Sequence, residues 1–211
     1  MTNKARLATV AGSVVLALTL TACGGAAEEA TPAQSTDPTN TPSQSPGGTN
    51  VIDADHNEAD TAFAQMMIVH HEGAIEMAEL AVERAATNEV RTLAEGIAAT
   101  QGPEIERMTS WLETWGENPA PAGDMAGMDH SGMDMGGLDQ DAAMEELQSL
   151  SGTKFDRRFL ELMTEHHRGA VEMAEAQLRA GQNPEALELA QQIIDDQTTE
   201  IALMATMLED L

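Results

Sequence analysis

Apolar positions recur at steps of three and four residues along two long stretches of this chain. Phe63, Met66, Met67, His70, Ala74, Met77, Ala78 and Ala81 form one stripe, and Val90, Leu93, Ala94, Ile97, Gln101, Ile105, Met108, Leu112 and Trp115 form a second. Such spacing is that of helices burying one face. Between them Thr87-Asn88 is a break with capping chemistry, and the short connection forces the two helices to lie antiparallel. The pattern then repeats. Residues 63–115 align with 159–211 at a constant offset of 96 and without a gap, so that His70-His71-Glu72-Gly73-Ala74-Ile75-Glu76-Met77-Ala78-Glu79 returns as His166-His167-Arg168-Gly169-Ala170-Val171-Glu172-Met173-Ala174-Glu175. Gln101, Glu104, Ile105 and Met108 return as Gln197, Glu200, Ile201 and Met204. In the second copy Gly181 stops one helix, and Asn183-Pro184 supplies an N-cap with proline at the first helical position. Two repeated helical hairpins predict an all-α fold, a four-helix bundle spanning residues 58–211, with repeat one at 58–116 and repeat two at 151–211.

The stretches outside the repeats read differently. Lys4 and Arg6 precede an apolar run from Leu7 to Leu20, which ends at Leu20-Thr21-Ala22-Cys23. That run is shorter than the roughly 20 residues that span a bilayer and lacks a basic stop-transfer flank, so 1–22 is expected to be a secretory signal. The ending resembles a bacterial lipobox, which implies cleavage before Cys23, diacylation of its sulfur, and a lipid-anchored protein on the extracytoplasmic face of the cell membrane. From 23 to 57 the sequence is Thr, Pro, Ser, Gln, Gly and acidic residues with little to bury, a disordered tether. Residues 117–150 form a loop between the repeats, rich in Gly, Asp and Met.

Charge narrows the partners. The chain holds 10 basic and 36 acidic residues for a net charge of −26, and loss of 1–22 would take it to −28. Such a surface repels nucleic acid and attracts cations. Cys23 is the only cysteine, which excludes an intrachain disulfide and thiolate metal clusters. Any metal must be held by His, Met and carboxylates.

The doubled His pair is the chief candidate for such chemistry. Residues equidistant from an antiparallel turn lie at the same height, which sets His70 against Glu104 about Thr87 and His166 against Glu200 about Asn183. Met67, Met77 and Met108 lie on the same inner side in repeat one, and Met163, Met173 and Met204 in repeat two. The competing reading is a satisfied buried His–Glu network with methionine as core filler. An iron oxidase of the bundle type would need Glu-x-x-His, and Met67 and Met163 stand where the Glu should be. Imidazole with thioether suits Cu(I), with silver as a substitute, and imidazole with carboxylate suits Cu(II) or zinc. A second cluster, Met125, Met128, His130, Met133 and Met135, lies in the loop, where no core is expected for methionine to fill. Its Met/Asp/His run resembles segments of exported copper-resistance proteins.

The His-His-x-Gly-Ala-x-Glu-Met-Ala and Gln-x-x-Glu-Ile-x-x-Met blocks together resemble the bacterial domain of unknown function 305 family over about residues 55–211. The resemblance implies a ferritin-like bundle and, since some exported members bind copper, metal roles for His70, His71, Met77, His166, His167 and Met173. The expectation is a membrane-anchored copper binder that buffers, resists or delivers the ion. A metal-dependent redox enzyme and a metal-free helical interaction module are the alternatives.

Overall fold

The computed structural model describes residues 53–119, 135 and 137–211. Cys23, Met125, Met128, His130 and Met133 lie outside them. Five helices follow in order: α1 (Glu58–Arg84), α2 (Asn88–Trp115), α3 (Gln140–Ser149), α4 (Thr153–Ala180) and α5 (Pro184–Asp210). Among the described residues no helix is long and apolar enough to cross a membrane.

The turn residues act as the sequence implies. Asn57 caps α1, its side chain accepting from Ala59 N and Asp60 N while Asp60 reaches back to Asn57 N. Thr87 caps α2, and Asn183 caps α5 by accepting from Ala186 N at 3.0 Å. Proline inside a helix removes one backbone bond, yet α2 runs through Pro103, which faces solvent. Gly152 begins α4 at φ 63°, a left-handed conformation that glycine adopts without strain.

α1 packs on α2 and α4 on α5, and the two hairpins meet along α1 and α4. The buried apolar side chains form two clusters. One joins the first half of α1 and the second half of α2 (Phe63, Met67, Met108, Trp111) to Ala170 and Ala174 of α4 and to Leu189 and Ile193 of α5. The other joins the opposite ends (Met77, Val90, Ile97, Phe155, Phe159, Met163, Met204). The offset of 96 exchanges the clusters, taking Met67 to Met163 and Met108 to Met204, so the hairpins are related by an approximate two-fold axis. Each fully buried Leu, Phe or Met contributes about 1.5–3 kcal/mol of transfer free energy.

Two expectations about the loop 117–150 are corrected here. It contains a helix, α3, started by Asp139 accepting from Ala142 N and held by the i, i+1, i+4 set Ala143, Met144 and Leu147 against the second cluster. Met135, read as an exposed loop residue, is 2% exposed and belongs to that same cluster. The physical reason is α3 itself. Its short apolar face brings the preceding chain back onto the bundle, where Met135 N donates to Leu138 O at 3.0 Å. Gln140 completes the docking by donating to Gly73 O at 3.1 Å, an approach that a side chain at Gly73 would obstruct.

A pair of buried aspartates, unforeseen in the sequence, ties the hairpins together. Asp60 and Asp156 occupy equivalent positions in the two repeats, and both are 0% exposed. Asp156 accepts from Ala86 N, Thr87 N and Thr87 Oγ1, all in the turn of the other repeat. Asp60 returns the contact, accepting from Gln182 N, Asn183 N and Gln177 Nε2. The identity Asp60/Asp156 at the repeat offset was the available signal.

Candidate metal centre

Between the two apolar clusters lies a polar layer. His70, His71, Gln101, Glu104, His166, His167 and Gln197 are all buried in it, and Glu200 is half-buried. Adjacent positions on a helix point about 100° apart, so consecutive histidines serve two neighbours. His71 faces α2 and bonds Glu104 at 2.7 Å through Nε2, and His167 faces α5 and bonds Glu200 at 2.6 Å. His70 and His166 instead meet each other across the α1–α4 contact, ring centroids 3.6 Å apart. Ala74 and Ala170, one turn further along, are wholly buried and small enough to let α1 and α4 approach.

This corrects the expected pairing of His70 with Glu104 and of His166 with Glu200. Helical side chains lean toward the N-terminus of their own helix. In an antiparallel hairpin that lean carries α1 side chains away from the turn and α2 side chains toward it. The partner of Glu104 is therefore nearer the turn than equidistance says, and it is His71. The same displacement selects His167 for Glu200.

The two pairs differ in their access to water. The Glu104 side chain is 9% exposed and that of Glu200 is 23% exposed. In each pair Nε2 is the ring nitrogen engaged by the carboxylate, which leaves Nδ1 as the nitrogen facing away from it. Those atoms, His71 Nδ1 and His167 Nδ1, are buried and have no hydrogen-bond partner among the described residues. His166 Nδ1 and the amide oxygens of Gln101 and Gln197 share that state. Burial, reinforced by His70, His167 and His71, holds the His166 ring well below the usual imidazole range, so it is neutral and able to donate its lone pair.

Sulfur flanks the layer on both sides. Met67 and Met108 are fully buried on one, Met163, Met204 and Met77 on the other, and Met173 is partly buried. Among the described residues no three His, Cys, Asp or Glu side chains converge as a ready metal group. The layer's two carboxylates, Glu104 and Glu200, are each engaged by a histidine. The layer's other donors are imidazole nitrogen, amide oxygen and neutral thioether.

The family model described as a domain of unknown function, DUF305, matches residues 60–208. The chain belongs to this family. Among solved structures it is similar to a DUF305 protein from Streptomyces coelicolor described as secreted, with 37% identity, 72% of this chain and 91% of that one covered, and a TM-score of 0.65. A DUF305 fragment from Deinococcus radiodurans shares 32% identity over 74% of this chain and 98% of that one, with a TM-score of 0.64. CopM in its Cu(I)-bound form shares 32% identity over 72% of this chain and 96% of that one, with a TM-score of 0.59. CopM is also solved with Cu(II) and with silver. No curated protein matches the chain.

Proposed function

We propose that this protein is an exported copper binder that holds the ion in the His/Met layer of its bundle, and that Cys23 anchors it by lipid to the extracytoplasmic face of the membrane. The observation that carries the reading is the pair of His–Glu contacts, each with a buried Nδ1 that has no hydrogen-bond partner among the described residues, in a layer flanked by methionine-containing clusters. A carboxylate that orients an imidazole whose other nitrogen is open is the arrangement found behind metal-ligating histidines. In this reading His71 and His167 are nitrogen donors at the two flanking positions and His166, with His70 beside it, at the central one, so that no single ion draws on all three. Glu104 and Glu200 act as orienting partners, or as ligands after rotation. Met67, Met108, Met163, Met204, Met77 and Met173 complete the set with sulfur. Likeness to CopM, solved with Cu(I), Cu(II) and silver, supports copper, and the soft donors favour Cu(I) over zinc. Met125, Met128, His130 and Met133 serve as an outer capture segment. The assigned role is storage or delivery.

The test is titration of the lipid-free mature chain with Cu(I) against a competing chelator, and with Cu(II). The wild-type chain should take up copper, and His71→Ala/His167→Ala should lose most of it while remaining helical. Uptake unchanged in that double variant, or no uptake by the wild type, overturns the reading.

A further inference from the structure

Gln101 and Gln197 occupy equivalent positions in the two repeats and are 2% and 3% exposed. Each stands three residues before the glutamate of its own helix and shares that face. The amide oxygens of both are buried without a hydrogen-bond partner among the described residues, so each half of the layer carries an unsatisfied acceptor. Packing does not call for it, because the stripe position one turn earlier is a buried isoleucine in both copies, Ile97 and Ile193. The register that sets Glu104 against His71 sets Gln101 against Ala74, and that of Glu200 with His167 sets Gln197 against Ala170. Both alanines are fully buried, three residues from His71 or His167 and four from His70 or His166. Each amide is therefore placed against a position with little bulk, one turn along α1 or α4 from both histidines.

We infer that Gln101 and Gln197 set the charge preference of the layer: as neutral amides where a carboxylate of the same size would fit, they hold it selective for a monovalent ion over a divalent one. Each half has one formal negative charge, Glu104 or Glu200, already bonded to a histidine. A monovalent ion beside that carboxylate leaves the half neutral. A divalent ion leaves one positive charge buried and uncompensated, which low-dielectric surroundings penalise. Glutamate at 101 or 197 would supply the missing charge, together with an oxygen donor suited to harder ions. Glutamine keeps the shape and withholds the charge.

The inference rests on the copper reading, and its test separates the two. The lipid-free mature chain and its variants are titrated with Cu(I) and with Zn(II), each against a competing chelator, and melted with and without Zn(II). Attraction to an added carboxylate scales with the charge of the ion, so Gln101→Glu/Gln197→Glu should bind Zn(II) at least about 10-fold more tightly than wild type, with a smaller change for Cu(I). Zn(II) should raise the melting temperature of this variant more than that of wild type. Should the double variant fail to fold without metal, Gln197→Glu alone, beside the more exposed Glu200, must show the same gain. Gln101→Leu/Gln197→Leu, which removes the amide but adds no charge, should gain no zinc affinity. Zinc affinity unchanged in the glutamate variants, or raised equally in the leucine variant, overturns this inference while leaving His-dependent copper uptake intact. A wild-type chain that takes up no copper overturns the reading on which it rests.

Discussion

Removing each of the two buried aspartates in turn should destabilise the protein unequally, although they are equivalent in the repeat. Asp156→Ala strands Ala86 N, Thr87 N and the Thr87 hydroxyl, now bonded at 2.8, 2.9 and 2.8 Å. Ala86 is exposed and Thr87 half-buried, so water replaces much of what is lost. An unsatisfied buried donor costs about 1–3 kcal/mol, and with rehydration the loss should be about 2 kcal/mol. Asp60→Ala strands more. It frees Asn183 N, which is buried, the Gln177 amide, which is 2% exposed, the exposed Gln182 N and the capping contact to Asn57 N. Losing the cap alone costs about 1 kcal/mol, so this variant should lose about 4 kcal/mol. For a domain of this size that is a fall in Tm on the order of 10 °C, and roughly half that for Asp156→Ala. Thermal and urea melts followed by circular dichroism at neutral pH measure both. An Asp156→Ala variant as damaged as Asp60→Ala, or an effect under about 1 kcal/mol in either, would refute the reasoning from donor burial.

The remaining expectations concern the metal layer and the loop. His166 is held neutral by burial, so the unfolded chain takes up its proton first. Its contribution to stability should be constant above its ordinary value of 6.5, and should decline as pH falls below that toward the lower value of the folded state. Urea melts of wild type and His166→Gln between neutral and mildly acidic pH test this, and identical slopes would reject it. Glu200→Ala, if Glu200 orients His167, should weaken copper binding by about 10- to 100-fold without changing the stoichiometry at saturation, which competition titration reads directly. Met135→Ala should cost about 2–4 kcal/mol in a metal-free melt because it empties a core position. A loop residue would cost almost nothing. Export of Cys23→Ser should leave the protein in the soluble fraction, and continued tight membrane association would contradict the lipid anchor.

The bundle was legible in the sequence because both its signals are one-dimensional. Stripes of period 3.6 and a gapless offset of 96 can be counted without coordinates. The caps at Thr87 and Asn183 and the stop at Gly181 are likewise local. The identity of the polar layer was legible too, since His, Gln and Glu stood at stripe positions in both copies. What failed was resolution within the layer. Choosing His71 over His70 as the partner of Glu104 depends on the lean of side chains along a helix, a displacement of about one residue that equidistance ignores. Met135 and α3 were hidden for another reason. The stretch is dominated by Gly and Asp, and the three apolar contacts of α3 are too few to form a periodic signal. The aspartate clamps act between segments distant in sequence, and only their recurrence at the repeat offset marked them.

The His70–His166 contact has a numerical consequence. It joins equivalent positions of the two repeats, so it lies where each half meets its own image, whereas the His71–Glu104 and His167–Glu200 contacts are set off to either side. Whatever binds at the shared position binds once per chain, and whatever binds at the flanking pairs comes in twos. The same distinction governs how the halves diverge. Away from the centre the copies differ at some positions, with Trp111 facing Met207 across the alignment and Pro103 facing Thr199. At the centre a change in one copy is met at once by the other, because each ring is the other's wall.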